Sequence, residues 1–289
     1  MNFKKPKVIA EIGCNHKGDM KIAKELVRVA KIYCKADIVK FQKRNNKELL
    51  TPEQYNSPHP NPVNSYGSSY GEHREFLEFN IDQHIDLKKY CDEINIEYST
   101  SVWDLTSAKE ITSLNPRMIK IPSATNNNDE LLTWLAENYF GEIHISTGMT
   151  TKSEIEHFIN LFEKFDRGKD IILYSCTSGY PVPFNDVSLL EIINLKENYS
   201  KRVKAIGFSG HHLGIAVDIS AYTLGAEYIE RHYTLDRTWK GTDHAASLEP
   251  EGMRKLVRDL NATFQSLTFK QKEVLDIEMV QRKKLKNIK

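Results

Sequence analysis

VKAIGFSGHHLGIAVDISAYTLGAEYIERH, residues 203–232, reads as strand, helix, strand. The apolar runs 203–212 and 226–232 each close on a histidine, His211 in the first and His232 in the second. Between them, LGIAVDISAYTLGA repeats its apolar residues at helical spacing. A parallel β-α-β unit brings both strand ends to one mouth of a sheet, where such folds bind metals and substrates. A lone histidine is most often structural or on the surface. Two at equivalent strand ends point instead to a divalent-metal site.

The same alternation runs through the chain. Runs rich in Val, Ile and Tyr predict strands at 7–12, 36–42, 96–101, 118–121, 142–146, 171–176, 205–209 and 228–232. Helical periodicity fills the intervals at 104–114, 129–138, 151–166, 187–197, 213–225 and 250–267. In KGDMKIAKELVRVAKIY (17–33), Ile22, Leu26, Val29 and Tyr33 share one helix face. Eight strands alternating with helices predict an α/β fold, a (β/α)8 TIM barrel, in preference to an open doubly wound sheet. Residues 1–289 read as a single domain, with a core from about 7 to 267 and a helical tail over 268–289 whose basic stretch is a solvated helix end. The irregular stretch is 51–70, TPEQYNSPHPNPVNSYGSSY, a long loop after strand two on the active face. It reads equally as a substrate wall and as an inserted surface loop.

Bulk composition narrows the function. Lys and Arg number 40 against 39 Asp and Glu, so nothing drives the whole chain to nucleic acid or an anionic membrane. Any affinity for phosphate must be local. Cys14, Cys34, Cys91 and Cys176 show no CxxC spacing, and the N-terminus lacks the apolar core of a secretory signal. A cytoplasmic, reducing compartment with free thiols is expected.

Barrel enzymes place their chemistry at the carboxyl ends of strands. Here those ends carry Glu11; Lys40 and Gln42; Thr100 among serines; Lys120 and Ser123; Ser146; Cys176 to Ser178; Ser209 and His211; and Glu230 to His232. Two lysines in one barrel mouth are expensive to desolvate unless an anion meets them. Lys40 and Lys120, with the hydroxyls of Thr100, Ser123, Ser146 and Ser209, form a cradle for phosphate or a phosphate-carboxylate. Two further readings stand beside this one: a lysine Schiff-base aldolase, and a catalytically silent barrel that binds sugar or anion as a partner subunit.

The motifs AEIGCNH (10–16), VKFQ (39–42), YST (98–100), KIPSATNN (120–127), STGM (146–149), CTSGYP (176–181), GFSGHH (207–212), ERHYTLDR (230–237) and GTDHAAS (241–247) occur in order. Together they resemble the barrel domain of the sialic acid synthase family, which includes N-acetylneuraminate, legionaminate and pseudaminate synthases. The resemblance runs from about residue 7 to 265. It implies condensation of phosphoenolpyruvate (PEP) with a ManNAc-like or related aldose, releasing phosphate and forming a nonulosonic, 3-deoxy-2-ketoacid product. It implies that His211 and His232 hold a divalent metal, manganese in the first place, with magnesium or cobalt as alternatives. Lys40, Thr100, Lys120, Ser123, Ser146, Ser178 and Ser209 would hold PEP, and Gln42, Tyr180 and Asp243 would line the sugar pocket. Glu11 would join Lys120 and the histidines in catalysis by stabilising the developing cation or positioning water.

Several positions depart from the family pattern. Thr125 stands where the family carries an acid, and Asp129 or Glu130 is the candidate to compensate. Ser178 replaces an asparagine, Gly210 replaces the acid before the first metal histidine, and His212 follows where Thr or Ser is common. Family members continue into a small antifreeze-like domain that swaps across a dimer and adds an arginine to the partner's sugar site. This sequence ends at Lys289, just after the last helix. The expectation is therefore a different sugar, a homodimer or separate subunit supplying that domain, or closure of the site by the 51–70 loop.

Overall fold

The computed structural model describes residues 3–286. Eight parallel strands close into a barrel in sequence order: β1 (Lys7–Gly13), β2 (Ile38–Lys43), β3 (Glu97–Val102), β4 (Met118–Ile121), β5 (Glu142–Ser146), β6 (Ile171–Cys176), β7 (Ala205–Gly210) and β8 (Tyr228–His232). The predicted TIM barrel is the observed fold, and four of the predicted strands have the observed bounds. No helix among the described residues is long and apolar enough to cross a membrane.

Strand alternation sorts the side chains into two environments. Inside the barrel, Ile9, Ile38, Met118, Ile172, Tyr174, Ala205 and Tyr228 form one compact apolar layer. The outward set includes Val39, Phe41, Ile119, Ile143, Leu173, Phe208 and Ile229, and it packs under the helices. Two residues further along β1, β2, β4 and β8, the inward positions above the apolar layer become Glu11, Lys40, Lys120 and Glu230. The barrel floor is therefore mainly apolar, with buried Glu142 and His144 meeting Tyr228 and Tyr174, and its mouth is charged.

The helix Met20–Val29 is capped by Asp19, whose side chain accepts from the Lys21 and Ile22 amides. Its buried row is Ala23, Leu26 and Val27, continued by Ala30 and Cys34 in a terminal π-turn. The expected face of Ile22, Leu26, Val29 and Tyr33 is thus displaced by one position. Tyr33 is 48% exposed and donates to Glu251 at 2.7 Å. Ala23, Ala30 and Cys34 are fully buried, while Ile22 and Val29 are only partly so.

The 51–70 excursion contains two short turns of helix, Pro52–Asn56 and Pro62–Asn64. It braces the loop that follows β8. Tyr66 donates its hydroxyl to the Lys240 carbonyl and stacks on Phe76 at 4.8 Å, while the Gly241 amide reaches Asn64 at 3.4 Å. No residue of 51–70 lines the central cavity. The segment supports the mouth from outside.

Gly210, Arg231 and His212 lie on the outward side of β7 and β8, beneath the helix Ala216–Leu224. Arg231 is buried and donates to Asp218, to the Gly214 carbonyl at 2.8 Å and to the His212 carbonyl at 2.6 Å. The His212 ring occupies the space beside Gly210: a Cβ there would stand 2.7 Å from His212 Cε1. The unusual residues at 210 and 212 therefore pack behind His211, away from the cavity. Removing one partner of a buried ion pair strands the other charge, at a cost of about 3–5 kcal/mol. We expect Asp218→Ala to lose stability on that scale in urea unfolding, and a loss under about 1 kcal/mol would show that Arg231 finds another partner.

Candidate functional site

A cavity of about 350 Å³ opens at the carboxyl ends of the strands. That volume suits small-molecule ligands, whose sites run from ~300 to ~1,000 Å³. Its base is a buried charge quartet. Lys40 Nζ lies 2.6 Å from Glu11 Oε2, 3.6 Å from Glu230 Oε1 and 2.8 Å from Ser101 Oγ. Lys120 Nζ lies 3.3 Å from Glu230 Oε2 and 3.3 Å from the centroid of the Tyr174 ring. Gln42 donates to Glu11 at 3.2 Å, and Ser209 to Glu230 at 3.4 Å.

Register makes the quartet. Lys40 pairs Glu11 across β1–β2, Glu11 pairs His232 across β1–β8, and Ser209 pairs Glu230 across β7–β8. The two lysines differ in their surroundings. Burial alone would lower both ammonium groups, but Glu11 and Glu230 together hold Lys40 above its usual value. At Lys120 burial outweighs the Glu230 attraction, and the pKa moves down. Burial would raise the Glu230 carboxyl, yet the Lys120 and Lys40 charges hold it at about 2. Glu11 moves the other way, raised by burial despite Lys40 beside it.

His211 and His232 face each other across the mouth with ring centroids 5.4 Å apart. His211 Nδ1 is tied to the Thr177 carbonyl at 2.9 Å, which orients the ring and leaves its other nitrogen free. Burial, with His232 beside it, lowers His211 to about 4, so the imidazole is neutral and able to ligate. His232 Nδ1 is buried without a hydrogen-bond partner and lies 3.8 Å from Asp243 Oδ2. The Tyr180 ring covers the pair, 4.4 Å from His211 and 5.7 Å from His232. An imidazole pair with an orphaned nitrogen fits a divalent metal. No third His, Cys, Asp or Glu completes a group of three among the described residues, so further ligands would come from water or substrate.

Ser123, Ser146, Ser178 and Ser209 all line the cavity, as do Gln42 and Tyr180. Gly148 lets three of the small polar side chains crowd together. A Cβ there would stand 2.3 Å from Ser178 Oγ, 2.8 Å from Ser123 Oγ and 3.3 Å from Cys176 Sγ. Asp243 sits at the rim, near Gly13 and His232.

Thr100 is not in the cavity. Its hydroxyl donates to Tyr98 at 2.6 Å in the layer between barrel and helices, and Tyr98 in turn meets His84 at 2.7 Å. With Ser99 and Ser101 inward, residue 100 must point out; Ser101 is the hydroxyl that reaches Lys40. The proposed compensation for Thr125 also fails. Asp129 is exposed and pairs His157 at 2.7 Å, Glu130 is exposed, and Thr125 is buried with its hydroxyl unpartnered. The cavity's carboxylates are Glu11 and Glu230. Glu230, Ser101, Trp103 and Cys176 line it without having been assigned a role from sequence.

A closed (β/α)8 barrel with this mouth is an enzyme of the sialic acid synthase class. The chain belongs to the NeuB family, whose sequence profile matches residues 26–272. The N-acetylneuraminate-9-phosphate synthase of Homo sapiens is 37% identical over 284 residues, covering 96% of this chain and 76% of that protein. The N,N'-diacetyllegionaminic acid synthase of Campylobacter jejuni is 35% identical over 255 residues, covering 88% and 75%. The crystal structure of N-acetylneuraminic acid (sialic acid) synthetase from Leptospira borgpetersenii serovar Hardjo-bovis in complex with citrate superposes with a TM-score of 0.81. It is 29% identical and covers 99% of this chain and 94% of that one.

Glu230 adds stability in a defined pH window. With its folded pKa depressed to about 2 against an unfolded value of ~4.3, its contribution is full above that value and fades as pH falls toward 2. We expect the difference in unfolding free energy between wild type and Glu230→Gln to be largest above about pH 5 and to narrow steadily on acidification. A difference independent of pH would show that Glu230 is not held ionised by the lysines.

Proposed function

We propose that this chain condenses PEP with a ManNAc-like or related aldose to give a nonulosonic acid and phosphate. The observation that carries the reading is the juxtaposition of two buried lysines, ringed by serine hydroxyls, with an imidazole pair at one barrel mouth. Lys40 and Lys120 neutralise the multiply charged PEP, with Ser123, Ser146, Ser178 and Ser209 donating to its oxygens.

Gln42, Tyr180 and Asp243 orient the open-chain sugar so that its aldehyde carbon faces the PEP methylene. A divalent metal on His211 and His232, manganese in the first place, would supply Lewis-acid polarisation of the aldehyde. Attack by the PEP methylene carbon forms the new C–C bond and leaves an oxocarbenium-like centre at the former enol carbon. Glu11 stabilises that centre or positions the water that adds to it. The resulting tetrahedral adduct loses phosphate through C–O cleavage.

His211→Ala and His232→Ala are expected to abolish turnover, read as phosphate release and product mass, while circular dichroism stays that of wild type. EDTA should stop the wild-type enzyme and added Mn²⁺ restore it. Wild-type rates in either variant would remove the metal assignment. Lys120→Ala should raise the KM for PEP at least tenfold and that for the sugar far less; the reverse pattern would exchange the two subsites. Borohydride trapping of a pyruvate adduct on Lys120, without phosphate release from PEP, would instead favour Schiff-base chemistry.

A further inference from the structure

Lys120 has less polar support than Lys40. Its hydrogen-bond partner among the described residues is Glu230 at 3.3 Å, whereas Lys40 meets Glu11, Ser101 and Glu230. The other charged or titratable groups facing Lys120 are Lys40 and Cys176. What Lys120 has instead is the ring of Tyr174, whose centroid lies 3.3 Å from Nζ. An ammonium that close to an aromatic face, out of water, is attracted by the negative π-surface of the ring.

The ring is itself fixed from behind. Tyr174 is fully buried, and Gly207, its register partner on β7, leaves the space that the ring fills: a Cβ there would stand 2.6 Å from Tyr174 Cε1. The Tyr174 hydroxyl lies 2.7 Å from His144 Nδ1, and His144 Nε2 lies 3.5 Å from Glu142 Oε2. Burial would raise the Glu142 carboxyl, but hydrogen bonds from His144 and Lys204 bring it below its usual value. Burial lowers His144 to about 4, so its imidazole is neutral. Facing an ionised carboxylate, Nε2 carries the ring proton, which leaves Nδ1 to accept from the Tyr174 hydroxyl. An acid, an imidazole and a phenol are thus linked from the first residue of β5 to Lys120. An aliphatic layer would fill the same interior without needing these partners. The polar chain gives the Tyr174 ring one angle.

We propose that Tyr174 is a positioning residue for Lys120 in PEP binding, its ring carrying the ammonium and its hydroxyl locked by the Glu142–His144 pair. The proposal rests on the synthase reading above. A free lysine must give up its rotamers when the anion arrives, whereas one already seated on a ring loses less.

The test reads PEP affinity by calorimetry with no aldose present, then steady-state rates with PEP, Mn²⁺ and ManNAc. Tyr174→Leu should weaken PEP binding about tenfold and raise the KM for PEP to match, with kcat and the sugar KM within about twofold of wild type. Tyr174→Phe, which keeps the ring and frees it from His144, should fall between Tyr174→Leu and wild type. Tyr174→Phe with His144→Leu, which removes both hydrogen-bonding partners, should match Tyr174→Phe alone. In a Lys120→Met background Tyr174→Leu should add no further loss, because Tyr174 acts through that ammonium. Unchanged PEP affinity in Tyr174→Leu, or a loss of equal size with Lys120 absent, would overturn the assignment. So would equal rises in the KM values for PEP and sugar. Absence of turnover with every aldose, with the pattern of PEP affinities intact, would strike the synthase reading and leave the positioning role standing.

Discussion

Four charges buried inside one barrel, Glu11, Lys40, Glu230 and Lys120, are the constraint on which the rest of the structure depends. Each would cost several kcal/mol to bury alone, and mutual attraction offsets that cost only in good geometry. The geometry is supplied by register: β1, β2, β4 and β8 must close in one alignment for Lys40 to meet both carboxylates and Lys120 to meet Glu230. A slip of one residue in any of these strands would turn a charge out under the helices and an aliphatic residue into the mouth. The apolar layer of Ile9, Ile38, Met118 and Ile172 below the quartet fixes the same alignment from the other side.

The quartet also explains why the mouth has direction. Lys40 sits between two carboxylates, whereas Lys120 has one carboxylate and the face of Tyr174. The cavity is thus electrically uneven, with its better-neutralised cation, Lys40, beside Glu11 and its less neutralised one, Lys120, against Tyr174. The histidine pair lines the same cavity, with His211 held by the Thr177 carbonyl.

Much of this was legible in the sequence, and strand β3 shows where legibility stopped. STS at 99–101 offers three neighbouring aliphatic hydroxyls, and composition alone favours Thr100 no less than Ser101. Only the position of Tyr98 and Thr100 against His84 outside the barrel identifies Ser101 as inward. Gly210 and His212 looked like disturbances of the metal site for a similar reason. Adjacent in sequence to His211, they belong to the opposite face of the strand, where Arg231 and Asp218 are their neighbours.

The sequence by itself determined the elements, their order and the chemistry at each strand end. Periods of two and 3.6 residues are local properties that a short window contains. Tertiary structure alone decided which partners those ends meet. Lys120 and Glu230 are 110 residues apart, and their contact exists only because the eighth strand closes back on the first. The same closure gives Lys40 two acids, Glu11 and Glu230. Such pairings depend on the path of the whole chain, which no single stretch of residues encodes.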